Sequence, residues 1–359
     1  MSYKTAIVNF EAFFIPTEDR FNVIMRDIQV AASNGCDTIL GLMLADGFLF
    51  YDYEYSVLLE KIKIESAKFG IEYIVLVPGI CHDGNVPGFG IIKDFNYNLH
   101  LAYLSYKDNK HLLKPWNPNA TKFLFLGGVP DRPNRINLME KFYKSGLLKD
   151  AVWSFFKPWT TEQEVWCRNA LSNYSDKEYN DFLNYCENKI DDMYLNSKEY
   201  GTSNANFDYN NCEWFKNPSW IDPQVFADTL LSVVSEGNSY KGHSSKFLTE
   251  KTWRVFAQRH PYILAADDEM MEYVKSLGFR TFNSSNDLDS IVESVKMFLE
   301  QRPDVTSDVE YNYKHFFKLG EENTRVLIDI QNMFNIPSEE MDKWFNKTGF
   351  SHLIRKPNE

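Results

Sequence analysis

No run of about 18 apolar residues occurs in the 359-residue chain, so the sequence predicts no membrane-spanning helix. Cysteine is scarce. Cys36, Cys81, Cys167, Cys186 and Cys212 are scattered, odd in number and free of any C-x-x-C or Cys/His spacing. That pattern supplies no zinc site, and its simplest setting is a reduced, cytoplasmic one. Positive charge is also in deficit. The net charge is −12, and neither the part before residue 120 nor the part after it is basic. Phosphate contacts normally come from Lys and Arg, so this weighs against a large nucleic-acid footprint. Glycine-rich phosphate motifs are missing as well. No G-x-x-x-x-G-K-[ST] occurs, which excludes a P-loop by motif. Gly88-Phe89-Gly90 lacks a third glycine, which disfavours dinucleotide binding. There is no internal repeat or low-complexity tract.

What is present is ordinary globular material, 44% hydrophobic and 25% charged, in a length that suits two domains. Phe (28) and Tyr (20) are abundant, a composition found in AT-rich genomes, phage genomes among them. Strand and helix patterns alternate along the chain, which predicts parallel sheets. Thr5–Phe10 reads as a first strand rather than a secretion signal. A helix over Arg20–Ser33, strands over Asp37–Leu44 and Ile71–Val77, and a helix over Tyr55–Phe69 complete a first domain, 1–115. Pro115 and Pro118 make 112–119 the expected linker.

The second domain, 120–304, starts with the strand Lys122–Leu126, which runs into an expected turn at Gly127-Gly128. A helix over Ile136–Tyr143 and a strand over Ala151–Phe156 follow. Residues 160–220 read as polar helices and loops, and Val225–Ser235 as an apolar run reaching Glu236-Gly237. Leu288–Gln301 has one clean apolar stripe. The tail, 305–359, is helical in pattern over Val305–Phe345 and is expected to return to the first domain.

The chain is organised around Phe247–Phe282. Thr249 suits an N-cap, Glu250 the first helical turn, and Trp253, Val255 and Phe256 an apolar face. His260-Pro261 stops that helix, because a residue before proline avoids the α region. Tyr262–Ala266 reads as a buried strand. Met270, Met271, Val274 and Leu277 keep helical spacing, Gly278 ends the helix, and Arg280–Phe282 is expected to begin another strand. Lys251 is out of place in this pattern. The start of a helix already carries about half a positive charge, so a lysine there suits an anion in front of it. The alternative is a solvated lysine that bends away.

Thr249-Glu250-Lys251, with the aromatic Trp253 and Arg254 after it, resembles the (S/T)-E-K-aromatic motif of α1,3-fucosyltransferases. The block from TEKTW through HPYIL to LGFRTF is also similar to glycosyltransferase-like proteins of tailed phages. The close resemblance covers about 35 residues. It implies the α/β GT-B fold: two Rossmann-like domains with a cleft between them and C-terminal helices. It also implies a UDP- or GDP-sugar as donor substrate, with no permanently bound cofactor and no metal. Glu250 would take the ribose hydroxyls and Lys251 the diphosphate.

Further donor-site candidates are Arg254, Gly127, Gly128, Arg132, Arg135 and Glu236. Glycine amides approach a phosphate closely and arginine binds two of its oxygens at once. The alternative is a tight turn with two surface arginines, and for Glu236 an ordinary strand end. Ligands of open α/β sheets bind at the carboxyl ends of strands, where Asp46 and then His82 are candidate bases for the acceptor hydroxyl. Glu11 and Asp83 lie at similar positions. Asp46-Gly47 is equally good turn chemistry. Asp267-Asp268-Glu269 reads as an acidic helix start.

The resulting expectation is a glycosyltransferase acting on a hydroxyl, the first choice of acceptor being a hydroxymethylated pyrimidine in phage DNA, within the host cytoplasm. The alternatives are a surface glycan or small acceptor, a GT-B-like binding module without turnover, and an enzyme acting on nucleotide sugars without transfer. The oligomeric state is not legible in the sequence.

Overall fold

A computed structural model describes residues 4–10, 18–43, 53–78, 87–92, 95–128, 133–155, 160–193, 223–236, 248–282 and 287–337, with positions 158 and 339. They form two compact units. One takes residues up to Leu101 and from Lys318 onward, with Leu248 and Thr249; the other takes Ala102–Gly237 and Glu250–Phe317. Each unit is built on a parallel four-stranded sheet. The chain changes unit after Leu101, whereas the prolines had suggested 112–119. Proline marks where a helix cannot continue, not where contacts cease.

In the first unit β1 (Thr5–Asn9), β2 (Thr38–Met43), β3 (Tyr73–Pro78) and the short β4 (Gly90–Ile91) lie in that order. Alternation along the strands divides their side chains between two faces. Ile39, Ile74 and Leu76 pack with Phe21, Ile24 and Ile28 of α1 (Glu18–Ser33) and with Leu59 and Ile62 of α2 (Tyr53–Ala67). On the other face Leu40, Leu42 and Val77 meet Tyr97 and Leu101 of α3 (Tyr97–Lys107). Leu327, Ile330 and Ile336, from the C-terminal part of the chain, share that face.

The second unit carries β5 (Phe123–Gly128), β6 (Ala151–Phe155), β7 (Leu231–Ser235) and β8 (Tyr262–Ala265), ordered β6-β5-β7-β8. One face holds Phe123, Phe125, Trp153 and Val233. It is covered by α4 (Pro133–Ser145), α5 (Thr161–Ala170), α6 (Asp176–Met193) and a later helix, Leu288–Gln301. The apolar run 225–235 divides into a short α7 (Pro223–Ala227) and β7, the third strand of the sheet. Every residue of β7 is buried, as a strand covered on both faces requires.

The stretch around which the chain is organised becomes α8 (Glu250–Ala257), β8 and α9 (Asp268–Ser276). Thr252 through Ala257 are all buried, and only Glu250 and Lys251 at the start of α8 are partly exposed. Phe256 stacks on Phe279 with ring centroids 3.9 Å apart. Arg259, at φ 52°, turns the chain out of the helix just before His260.

The expected strand at Arg280–Phe282 is absent. Both peptide groups of Arg280 are held by one side chain: its N–H donates to Asn312 Oδ1 at 2.9 Å and its carbonyl accepts from Asn312 Nδ2 at 2.9 Å. An extended segment becomes a strand only when a neighbouring strand takes those groups. Asn312 belongs to α11 (Thr306–Met333), which follows α10 (Leu288–Gln301). Eleven residues further along α11, Asn323 grips Asn96 in the same way, with bonds of 2.7 and 2.8 Å.

His260 ties β7 to β8. Its Nε2 donates to the Thr229 carbonyl at 2.9 Å, so Nδ1 accepts from the Ser232 hydroxyl at 2.9 Å. Burial pushes its pKa down to about 4, and the ring is neutral at pH 7. An unfolded chain takes up this proton near pH 6.5, whereas the folded one does so only near 4. The contribution is therefore present above pH 6.5 and is lost as pH falls towards 4. We expect the fold to lose about 3 kcal/mol across that window through this residue. Denaturant unfolding at pH 7 and 4.5 should show a shallower pH dependence in His260→Gln. Parallel curves for the two proteins would disprove the assignment.

Candidate functional site

The second sheet has a topological switch point. From β5 the chain moves outward to β6, then returns to place β7 on the opposite side of β5. The helices that follow these two strands start at the crevice between their carboxyl ends, where open α/β sheets bind ligands. The described strands of the first unit run in simple order, β1 to β4, and define no such point.

Glu236, immediately after β7, organises the crevice and is 2% exposed. Its N–H continues the ladder to the Ala265 carbonyl at 3.1 Å. Its carboxylate accepts from Thr252 Oγ1, in the first turn of α8, at 2.5 Å. Its carbonyl accepts from Asn134 Nδ2, in the first turn of α4, at 3.2 Å. Asn134 Oδ1 in turn accepts from the Arg135 N–H at 3.0 Å. One residue thus holds the starts of both helices against the end of one strand. The positive dipole ends of α4 and α8 converge on the same place.

The charged groups follow from those helix starts. Arg254 and Arg135 are buried, at 3% and 7% exposure. Lys251 Nζ lies 2.9 Å from Glu250 Oε1, and both side chains are partly buried. Burial alone would raise the Glu250 carboxyl. The charges of Lys251 and Arg254, with the hydrogen bond from Lys251, outweigh it and hold the group below the usual carboxylate value. The anion that Lys251 called for is thus supplied in part by its own neighbour. Lys251, Arg254, Glu250 and Glu236 thus stand around the start of α8, and Arg135 lies in the first turn of α4.

A pocket opens beside α8. Leu126, Phe226 and Val234 give it an apolar wall, and Ser235, Lys251 and Arg254 a polar one.

Of the residues singled out from sequence, Glu250, Lys251, Arg254 and Glu236 come together around α8 and the β7 end, and Arg135 lies in the first turn of α4 beside Asn134. Gly127 and Gly128 differ from expectation. They are the last residues of β5, with a register shift against β6, rather than a turn. A Cβ on Gly127 would lie 3.0 Å from the Ser154 carbonyl oxygen, so strand packing already requires glycine there. Asp46, His82, Asp83, Glu11 and Arg132 lie outside the described residues. Asp267 is an N-cap, accepting from the Met270 N–H at 2.7 Å. Thr252 and Asn134 were missed. Neither has a local signature, since each acts on Glu236 across a fold contact.

Among the described residues no three His, Cys, Asp or Glu side chains are grouped to hold a metal, and no helix is long and apolar enough to cross a membrane.

The chain is thus an α/β protein of two parallel-sheet units with C-terminal helices, and the second unit carries a polar crevice at its switch point. No family model matches the sequence, and no curated protein does. Among solved structures it is similar to one assigned to a UDP-N-acetylglucosamine 2-epimerase from Listeria monocytogenes. That match has 9% identity over 89% of this chain and 80% of the other, with a TM-score of 0.42. It is also similar to the S. aureus MnaA–UDP co-structure, at 9% identity over 94% and 98% of the two chains, with a TM-score of 0.41.

Thr252→Val should leave the buried Glu236 carboxylate short of a donor at nearly unchanged volume. We expect a loss of about 1–3 kcal/mol in denaturant unfolding, recovered in Thr252→Ser. Wild-type stability in the valine variant would remove Glu236 from the centre of this arrangement.

Proposed function

We propose that the protein is a nucleotide-sugar-dependent glycosyltransferase whose donor, a UDP- or GDP-sugar, is bound in the β5/β7 crevice of the second unit. The observation that carries this reading is the convergence of two helix starts on one strand end, beside a pocket lined by Lys251 and Arg254. Backbone amides, helix dipoles and cations together favour a diphosphate, which is acceptor-only and multiply charged. Glu250, kept ionised, accepts hydrogen bonds from the two ribose hydroxyls. The apolar wall beside it suits the flat part of a nucleoside.

Transfer adds one requirement. As the sugar leaves, negative charge grows on the diphosphate, and the same cations stabilise it more in the transition state than in the ground state. A base must take the proton of the acceptor hydroxyl. Asp46 and His82 remain the proposed bases. The acceptor is a hydroxyl group, with a hydroxymethylated pyrimidine in DNA first and a glycan or small molecule second. With a net charge of −12, DNA would need a local gathering of Lys and Arg.

Thermal-shift titration across UDP-, GDP- and CDP-sugars tests the donor site. A true donor stabilises by ~2.7 kcal/mol at a hundredfold excess over its dissociation constant. Lys251→Ala should keep the fold and weaken that donor roughly ten- to a hundredfold, as loss of one hydrogen bond to a charged group does. Unchanged affinity in Lys251→Ala would remove the diphosphate from this position. Product analysis with the donor that binds separates the chemistry: an isomerised donor with no transferred sugar would keep the site and overturn transfer.

A further inference from the structure

We propose that the Glu250–Lys251 pair is a selectivity gate of the crevice. Glu250 holds Lys251 and yields it only to a ligand that brings an anion for the lysine and hydroxyl donors for the carboxylate, as a nucleoside diphosphate does. This rests on the donor-site reading above.

The pair is not one that a helix makes by default. Side chains three or four residues apart share a helical face, and adjacent ones do not. Lys63, Lys68, Lys275 and Lys296 each meet a glutamate at a spacing of three. Lys144 and Lys318 meet one at a spacing of four. Lys251 turns instead to its immediate neighbour, with Nζ 2.9 Å from Glu250 Oε1. A second adjacent pair, Arg26–Asp27, is longer, at 3.6 Å, and exposed. Glu250 and Lys251 are both partly buried, and Lys251 lines the pocket beside α8.

The chemistry of the pair sets which anions it admits. Against its own burial, Glu250 is kept ionised by Lys251 and Arg254, so a carboxylate already stands where those cations would draw a ligand. Inorganic pyrophosphate competes with that carboxylate for Lys251 and presents acceptors to it. Its entry strands Glu250 beside a second anion, and a partly buried charge deprived of its partner is costly. A nucleoside diphosphate takes Lys251 with its phosphates while its ribose hydroxyls donate to Glu250. Each member of the pair then exchanges an internal partner for a ligand group, and neither is left unmatched. Selectivity comes from what the site denies to the wrong anion.

Calorimetric titration of the full chain with UDP, GDP and inorganic pyrophosphate tests this in wild type and in Glu250→Gln. The variant should bind pyrophosphate roughly tenfold more tightly, and its preference for the nucleotide over pyrophosphate should fall by at least that factor. The gain should vanish when Glu250→Gln is compared in a Lys251→Ala background, because no lysine is left to release. Glu250→Asp is one methylene shorter. It should show the same tightening, and it serves if the glutamine variant does not fold. Pyrophosphate bound no better by either variant would overturn the gate and leave the donor site standing. Equal tightening of nucleotide and pyrophosphate, or an equal gain without Lys251, would mean that Glu250 merely repels anions; either result overturns the inference. A wild-type protein that binds none of the three ligands overturns both this inference and the donor-site reading.

Discussion

The hydrogen bonds of Glu236 are the constraint on which the second unit depends. A carboxylate at 2% exposure is costly to bury, and the fold meets that cost with a short bond from Thr252. The same residue's backbone holds β8 through Ala265 and α4 through Asn134. Two helix starts that would otherwise fray are thereby fixed against a strand end. Every charged group of the crevice inherits its position from them.

The electrostatics follow. Beyond its first two residues helix α8 is buried all round, an arrangement that short helices rarely sustain unless packing supplies what propensity does not. Trp253 and Phe256 provide that packing, through contacts with Phe279 among others. The aromatic anchor lets Glu250, Lys251 and Arg254 stand in the first turns without being chosen for helix stability. Lys251 is set against the helix dipole, yet Glu250 beside it offsets much of the repulsion. The residue pair is locally neutral, and Arg254 adds a positive charge beside it.

Where sequence reasoning worked, a local signal coincided with burial. The helix at Leu288–Gln301 was bounded correctly because one stripe, Ile291, Val292, Val295 and Phe298, is the buried face. Apart from the two-residue β4, the described strands of both sheets were visible as apolar runs ended by glycine, proline or acid. Where it failed, a distant group had taken over the backbone. Arg280–Phe282 has the look of a strand, but Asn312 occupies the peptide groups of Arg280. Gly127-Gly128 looked like a turn, but β5 continues through both: Gly128 pairs with Phe155 of β6, and Gly127 sits at the register shift.

The sequence by itself determined the α/β class, most element positions and the residues Glu250, Lys251 and Arg254 as a group, because all three stand on one short helix. Periodicity, caps and charge against a helix dipole are properties of neighbours in the chain, and they are legible there. Only the tertiary structure decided that β7 lies beside β5, which creates the switch point. It alone paired Thr252 with Glu236, sixteen residues away, and brought Asn134 to the same residue from 102 positions upstream. Strand order and contacts at such separations are settled by which faces can be buried together, and no local pattern encodes that choice.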